Sequence, residues 1–142
     1  MSATRARRRN LSVVTALVLL GAAGCSSDTK STASTVAVTS PEDRQADDAT
    51  VTAGLGKMVT TAASVTASVA GGTKVADAGE QLEADWSQVE GTVKTKEPDS
   101  YILIEDAISG LDAAGKAGDA AGATKASTGL ATAVAAYLAK HP

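Results

Sequence analysis

The fold class is decided by residues 51–69, which read VTAGLGKMVTTAASVTASV. Bulky or small apolar residues recur there in steps of three and four, at Val51, Leu55, Met58, Ala62, Val65 and Val69. A half-buried strand would instead alternate at every second position, so the spacing predicts a helix with one buried face. We expect this helix to begin at Ser40-Pro41, with Ser40 as the N-cap, and to end at Gly71-Gly72.

Three more apolar stripes follow with the same spacing. The second helix is predicted from about Thr73, the third from Pro98 and the fourth after Gly118-Asp119, since proline suits a first turn and glycine a helix end. Their apolar positions are Val75, Ala78, Leu82, Trp86, Val89 and Val93, then Tyr101, Ile104, Ile108 and Leu111, then Ala123, Leu130, Val134 and Tyr137.

Short connections make successive helices antiparallel. The sequence therefore predicts an all-α domain over residues 40–142, a small up-down-up-down four-helix bundle. A three-helix body with a loosely held first helix is the alternative. The core is expected to be thin and closely packed, because the chain has no Phe and only Trp86, Tyr101 and Tyr137 as aromatic residues.

The N-terminus has a different organisation. Arg5, Arg7, Arg8 and Arg9 precede the almost wholly apolar residues 11–20, and small residues then lead to Cys25. A positive segment, an apolar segment and small residues in this order are typical of an export signal. The apolar run is shorter than the roughly 20 residues that a membrane-spanning helix needs.

The sequence Leu20-Gly21-Ala22-Ala23-Gly24-Cys25 resembles the lipobox of a bacterial lipoprotein signal peptide. The resemblance implies removal of residues 1–24, attachment of diacylglyceryl and palmitate-type acyl chains at Cys25, and a location on the extracytoplasmic face of the cell membrane. Arg8-Arg9 leaves two export routes open, the general one and the twin-arginine one.

Composition after Cys25 indicates a tether and an acidic domain. Residues 25–39 are rich in Ser, Thr and Ala, have no helical period, and are predicted to be a disordered tether behind the lipidated Cys25. Without residues 1–24, nine Lys and Arg remain against 16 Asp and Glu, a formal charge of −7. Nucleic acid is therefore not an expected partner, because phosphate binding needs clustered positive charge. The lipid anchor makes the membrane a partner, and an envelope protein is the expected macromolecular one.

The motifs of common enzyme classes are missing from the sequence. The single His141 has no nucleophile with a matching spacing, and the single Cys25 is the predicted lipid attachment site. The segment Gly54-Leu55-Gly56-Lys57 lacks the strand that precedes a phosphate-binding loop. We therefore expect a non-enzymatic protein with no catalytic residues and no organic cofactor.

The strongest candidate site lies across the second and third helices. Trp86-x-x-Val89-Glu90 and Tyr101-x-x-Ile104-Glu105 share one pattern, an aromatic residue one helical turn before a glutamate. Because the two helices are predicted to be antiparallel neighbours, Glu90 and Glu105 are expected to converge, with Glu83 as a third carboxylate. The alternatives are that Trp86 and Tyr101 are core residues and that the glutamates only form surface pairs, Glu90 with Lys94 for example.

This stretch is similar to the extracytoplasmic helical domains of bacterial high-affinity iron permeases and to short actinobacterial lipoproteins. The resemblance implies metal capture by acidic residues, here Glu90 and Glu105. Two functions stay open. The first is a surface interaction or accessory module, which predicts an exposed apolar patch. The second is a lipoprotein that binds an iron-type divalent cation, which predicts that Glu83, Glu90 and Glu105 cluster beside Trp86 and Tyr101.

Overall fold

The computed structural model describes residues 40–142; the signal peptide, Cys25 and the tether predicted for residues 1–39 lie outside that range. This part of the chain is all-helical and contains no strand, which confirms the predicted all-α class. A 3₁₀ turn at Pro41–Asp43 precedes five α-helices: α1 Asp48–Ala70, α2 Ala78–Trp86, α3 Glu90–Lys96, α4 Pro98–Ala117 and α5 Ala120–Lys140. Across residues 40–142, no helix has the length and apolar content required to cross a membrane.

Helix α1 begins later than its sequence suggested. Asp47 is its N-cap, and its carboxylate accepts a hydrogen bond from the backbone N–H of Thr50 at 2.7 Å. Ser40 instead precedes the 3₁₀ turn, where its hydroxyl donates to the carboxylate of Asp43. The predicted start at Ser40 is therefore wrong, because a second capping residue lies seven positions downstream. The predicted stripe is confirmed, since all six of its apolar residues are buried.

The predicted second helix is two helices. Residues 73–77 form a connection whose Val75 N–H donates to the carbonyl oxygen of Gly115 at 3.0 Å, so α2 begins only at Ala78. A turn at residues 87–89 then separates α2 from α3. Four consecutive residues of α3, 90–93, are buried. A continuous helix with one buried face would expose part of that run, and the break lets α3 lie against both α4 and the 3₁₀ turn.

Close contacts give the directions of the helices. At one end of the α2–α4 pair, the backbone N–H of Gly79 donates to Asp112, and at the other end Trp86 contacts Glu105, so α2 and α4 are antiparallel. Helices α4 and α5 are antiparallel as well, because Gly110 lies beside Ala126 while Glu97 pairs with Lys140.

Helix α1 completes the packing. It contacts both α2 and α5. Lys57 approaches Asp85 of α2, and the hydroxyl of Thr66 donates to the carbonyl oxygen of Ala123 in α5. The buried core draws on every α-helix and consists largely of Ala, Val, Leu and Ile, as the composition predicts.

Candidate functional site

Trp86 lies at the centre of the predicted site. Its side chain is fully buried, and its ring centroid is 5.7 Å from that of Tyr101 with an angle of 31° between the planes. The indole N–H donates to Oε1 of Glu105 at 2.5 Å. Helices α2 and α4 therefore bring together three of the predicted residues, with Trp86 as a core aromatic whose polar edge is satisfied by a carboxylate.

Glu83 lies one turn before Trp86 on α2. Its pKa is raised, first by partial burial and then by the negative charge of Glu105. Glu105 is thus near enough for its charge to disfavour ionisation of Glu83. A bound cation would relieve that repulsion, and protonation of Glu83 relieves it as well.

Glu90 is the first residue of α3 and is only 8% exposed. The ammonium of Lys94 lies over the ring of Tyr101, 5.2 Å from its centroid. Glu90, Lys94 and Tyr101 each take part in a polar or ring interaction. In residues 40–142, no three His, Cys, Asp or Glu side chains are grouped as a metal site requires.

A second polar cluster was not anticipated from the sequence. Nζ of Lys140 is 3.0 Å from Oε1 of Glu97, and Nε2 of His141 is 3.6 Å from Oε2. The hydrogen bond from Lys140 lowers the pKa of Glu97. The ring of His141 packs at 4.6 Å on that of the buried Tyr137, so His141 closes the end of α5.

An apolar groove runs between α4 and α5. Its volume is about 650 Å³, and its lining includes Leu103, Gly110, Gly122, Ala126 and Gly129. Leu103 and its neighbour Ile102 are each 56% exposed, and they are the large hydrophobic residues left exposed in the described part of the chain.

Glycines within two neighbouring helices were the feature of the sequence that could have indicated this groove. A Cβ built on Gly129 of α5 would have no neighbour within 4 Å, so this glycine leaves open space in the groove. A Cβ built on Gly110 would lie 3.3 Å from that of Ala126, so Gly110 instead allows α4 and α5 to approach closely. From the sequence alone, a glycine inside a helix is expected only to weaken that helix. Comparisons of this chain with protein families, with curated proteins and with solved structures find no match.

Proposed function

We propose that this protein is a lipid-anchored, non-enzymatic interaction module on the extracytoplasmic face of the cell membrane, and that it binds an envelope protein through the groove between α4 and α5. The basic, apolar and small-residue segments ending at Cys25 support the anchor. The groove itself is the observation that carries the binding function.

The five α-helices are proposed to occupy the four positions of a four-helix bundle. Helix α1 contacts α2 and α5, and the pairs α2/α4 and α4/α5 are antiparallel. These contacts support an up-down-up-down four-helix bundle. In that arrangement α3 continues the position of α2 after the turn at residues 87–89. Such a body presents the α4/α5 face outward, away from α2 and α3.

The exposure of Ile102 and Leu103 supports a binding role for the α4/α5 face. Both are more than half exposed in a chain that buries most of its other large apolar residues. Single exposed apolar residues are ordinary, but Leu103 lines an apolar groove and Ile102 is its exposed neighbour in the sequence, which favours a binding surface. A protein partner would bury them and fill the space above Gly129.

The anchor is tested by Cys25→Ser. We expect the wild-type protein to incorporate labelled palmitate and to remain with the membrane fraction. The Cys25→Ser variant is expected to lose the label and leave the membrane fraction, since the acyl chains supply the binding energy, about 0.8 kcal/mol per buried methylene. Membrane retention of the unlabelled variant would contradict the anchor.

The binding surface is tested by a photoreactive residue at Leu103 of the full chain in intact cells. A probe in place of Leu103 is expected to form a protein adduct of defined mass. The matched control is a probe at Thr60, an exposed residue of α1. Equal adduct yields at the two positions, or no adduct at Leu103, would contradict the proposal.

A cation-binding accessory function is the second candidate, and the negative charge that Glu105 places near Glu83 favours it. Thermal unfolding followed by Trp86 fluorescence would report cation binding directly, since Trp86 contacts Glu105. The prediction is that one of the Fe, Cu, Zn, Mn or Ca ions raises the unfolding temperature, and that Glu83→Gln or Glu105→Gln removes the effect. Glu80→Gln, on an exposed residue of α2, is the control. An unchanged unfolding temperature with every ion would rule this function out.

A further inference from the structure

The α4/α5 groove is open along only part of its length. A Cβ built on Gly110 would lie 3.3 Å from that of Ala126, and a Cβ built on Gly122 would lie 2.5 Å from the carboxylate of Asp119, so that end of the groove is closed. A Cβ built on Gly129 would meet nothing within 4 Å. The open part of the groove therefore lies beyond Ala126, at the level of Gly129.

The walls of the open part are apolar. The two helices are antiparallel, so Leu103 of α4 lies at the level of Ala133 of α5, and both residues line the groove. Thr128 and Thr132 also line it, but their hydroxyl groups donate to backbone carbonyl oxygens of α5 itself, each at 2.8 Å. Because these donors are satisfied within their own helix, the open part favours an apolar occupant.

The α4 edge of the open part is negatively charged. Asp99 and Asp106 are exposed and lie one helical turn before and after Leu103, so the three residues share one face of α4. Among the ion pairs of residues 40–142, none involves either carboxylate. Residues 129–136 of α5, opposite this edge, carry no charge. Lys125 lines the closed part of the groove, so the charges beside the open part are those of the two aspartates.

We propose that the occupant of the open part is a basic amphipathic helix of the envelope partner. Its apolar side fills the space at Gly129 and covers Leu103, and its Lys or Arg side chains pair with Asp99 and Asp106. A helix is favoured over an extended peptide because the backbone groups of α4 and α5 are bonded within their own helices, so the groove offers no backbone partners and the occupant must satisfy its own. This inference rests on the proposed binding function of the groove and names the chemistry of the partner.

Charge complementarity selects this partner over the alternatives. An acidic helix would place like charges beside Asp99 and Asp106, and a wholly apolar one would take water from both carboxylates without pairing them. A second copy of the same face would bring the same two carboxylates. The formal charge of −7 that remains without residues 1–24 also attracts a basic partner and repels another copy of the domain.

Two fluorescent peptides of equal length, an amphipathic Leu/Lys helix and an amphipathic Leu/Glu helix, test the charge of the partner. Each is titrated with purified full-length protein in a non-ionic detergent, and fluorescence anisotropy measures binding. We expect the Leu/Lys peptide to bind at least about tenfold more tightly, because opposite charges then meet across the interface. Asp99→Asn/Asp106→Asn should remove most of that preference. Asp77→Asn/Glu80→Gln removes two exposed charges near the start of α2 and should keep the preference. Equal binding of the two peptides, or equal effects of the two double variants, would overturn the proposal.

A pair of glycine substitutions tests whether the peptide lies in the groove. Gly129→Leu fills the open part, whereas Gly56→Leu places the same side chain in open space on α1. We expect Gly129→Leu to weaken binding of the Leu/Lys peptide at least about tenfold and Gly56→Leu to leave it unchanged, since charge attraction without the groove would not distinguish them. Equal affinities of these two variants would overturn the proposal. A Leu103 adduct in cells without any preference for the Leu/Lys peptide would overturn the basic helix alone and leave the binding function of the groove intact.

Discussion

At the scale of single residues, the helical glycines of residues 40–142 differ in what surrounds them. A Cβ built on Gly115 would lie 2.5 Å from the carbonyl oxygen of Val75 and 3.0 Å from the Cβ of Ala78. A Cβ built on Gly56 or Gly129 would have no neighbour within 4 Å. Glycine is therefore needed at Gly115 for the approach of the connection before α2, whereas Gly56 only weakens its own helix and Gly129 leaves the groove open.

We expect Gly115→Ala to lower the free energy of unfolding by about 1–3 kcal/mol, because the methyl group meets backbone that cannot easily move. Gly56→Ala is expected to raise the free energy of unfolding by roughly 0.5–1 kcal/mol, since alanine is the better helix former. Denaturant unfolding of both variants measures the contrast. A Gly115→Ala protein as stable as the wild type would refute the close contact.

The second residue-scale prediction concerns Glu83. Its raised pKa means that the folded state disfavours the carboxylate, so the destabilisation is present at neutral pH and disappears as the pH falls through the folded pKa. We expect Glu83→Gln to increase the free energy of unfolding at pH 7 by about 0.5 kcal/mol, the scale of a part-exposed charge interaction.

The pH dependence of that increase is the check. Unfolding of the wild type, Glu83→Gln and Glu80→Gln is compared at pH 7 and at about pH 4, below the usual carboxyl pKa. The gain of Glu83→Gln should vanish at the lower pH, and Glu80→Gln should show no such change. A gain that persists under acid would mean that like charges are not its source.

At the scale of helices, the cap of α1 carries a prediction. The backbone hydrogen bond from Thr50 lowers the pKa of Asp47, so this carboxylate stabilises the fold above its unfolded pKa, and the contribution is lost as the pH falls through the lower, folded value. We expect Asp47→Ala to reduce the thermal unfolding midpoint at neutral pH and to matter less under acid. Ser40→Ala is the control and should leave the midpoint unchanged. Equal effects of the two variants would contradict the cap assignment.

The same helices show which local features can be predicted from the sequence. The stripe of α1 and the start of α4 at Pro98 follow from spacing and proline chemistry, and both are found where expected. The boundary at Asp47 and the break at residues 87–89 depend on competition between capping residues and on burial of four consecutive residues in α3. Spacing within one helix carries no information about that burial, because it arises from contacts with α4 and the 3₁₀ turn.

At the scale of the whole molecule, the all-α class followed from the apolar spacing, whereas the groove between α4 and α5 did not. The shared pattern placed Trp86 and Tyr101 on neighbouring helices, and the structure adds that their ring centroids lie 5.7 Å apart and that Trp86 contacts Glu105. The α4/α5 groove was not predicted, because it depends on small residues from two helices that face each other. The apolar spacing within one helix does not show which residues of another helix lie opposite. Exposure of Leu103 likewise follows from the angle and spacing of whole helices.

The measurement that tests the central claim most directly is thiol labelling with a membrane-impermeant maleimide. Gly129→Cys places the thiol in the groove, and Gly56→Cys places a matched thiol on α1, each in open space on an otherwise unchanged helix. The account predicts that the two label equally in dilute purified full-length protein. In intact cells, Gly56→Cys should still label if the domain lies outside the membrane as proposed. Gly129→Cys should label at least about tenfold more slowly, because the proposed partner would cover the groove. Equal labelling of both thiols in intact cells would contradict the groove as a binding surface, and no labelling of either would contradict the extracytoplasmic location.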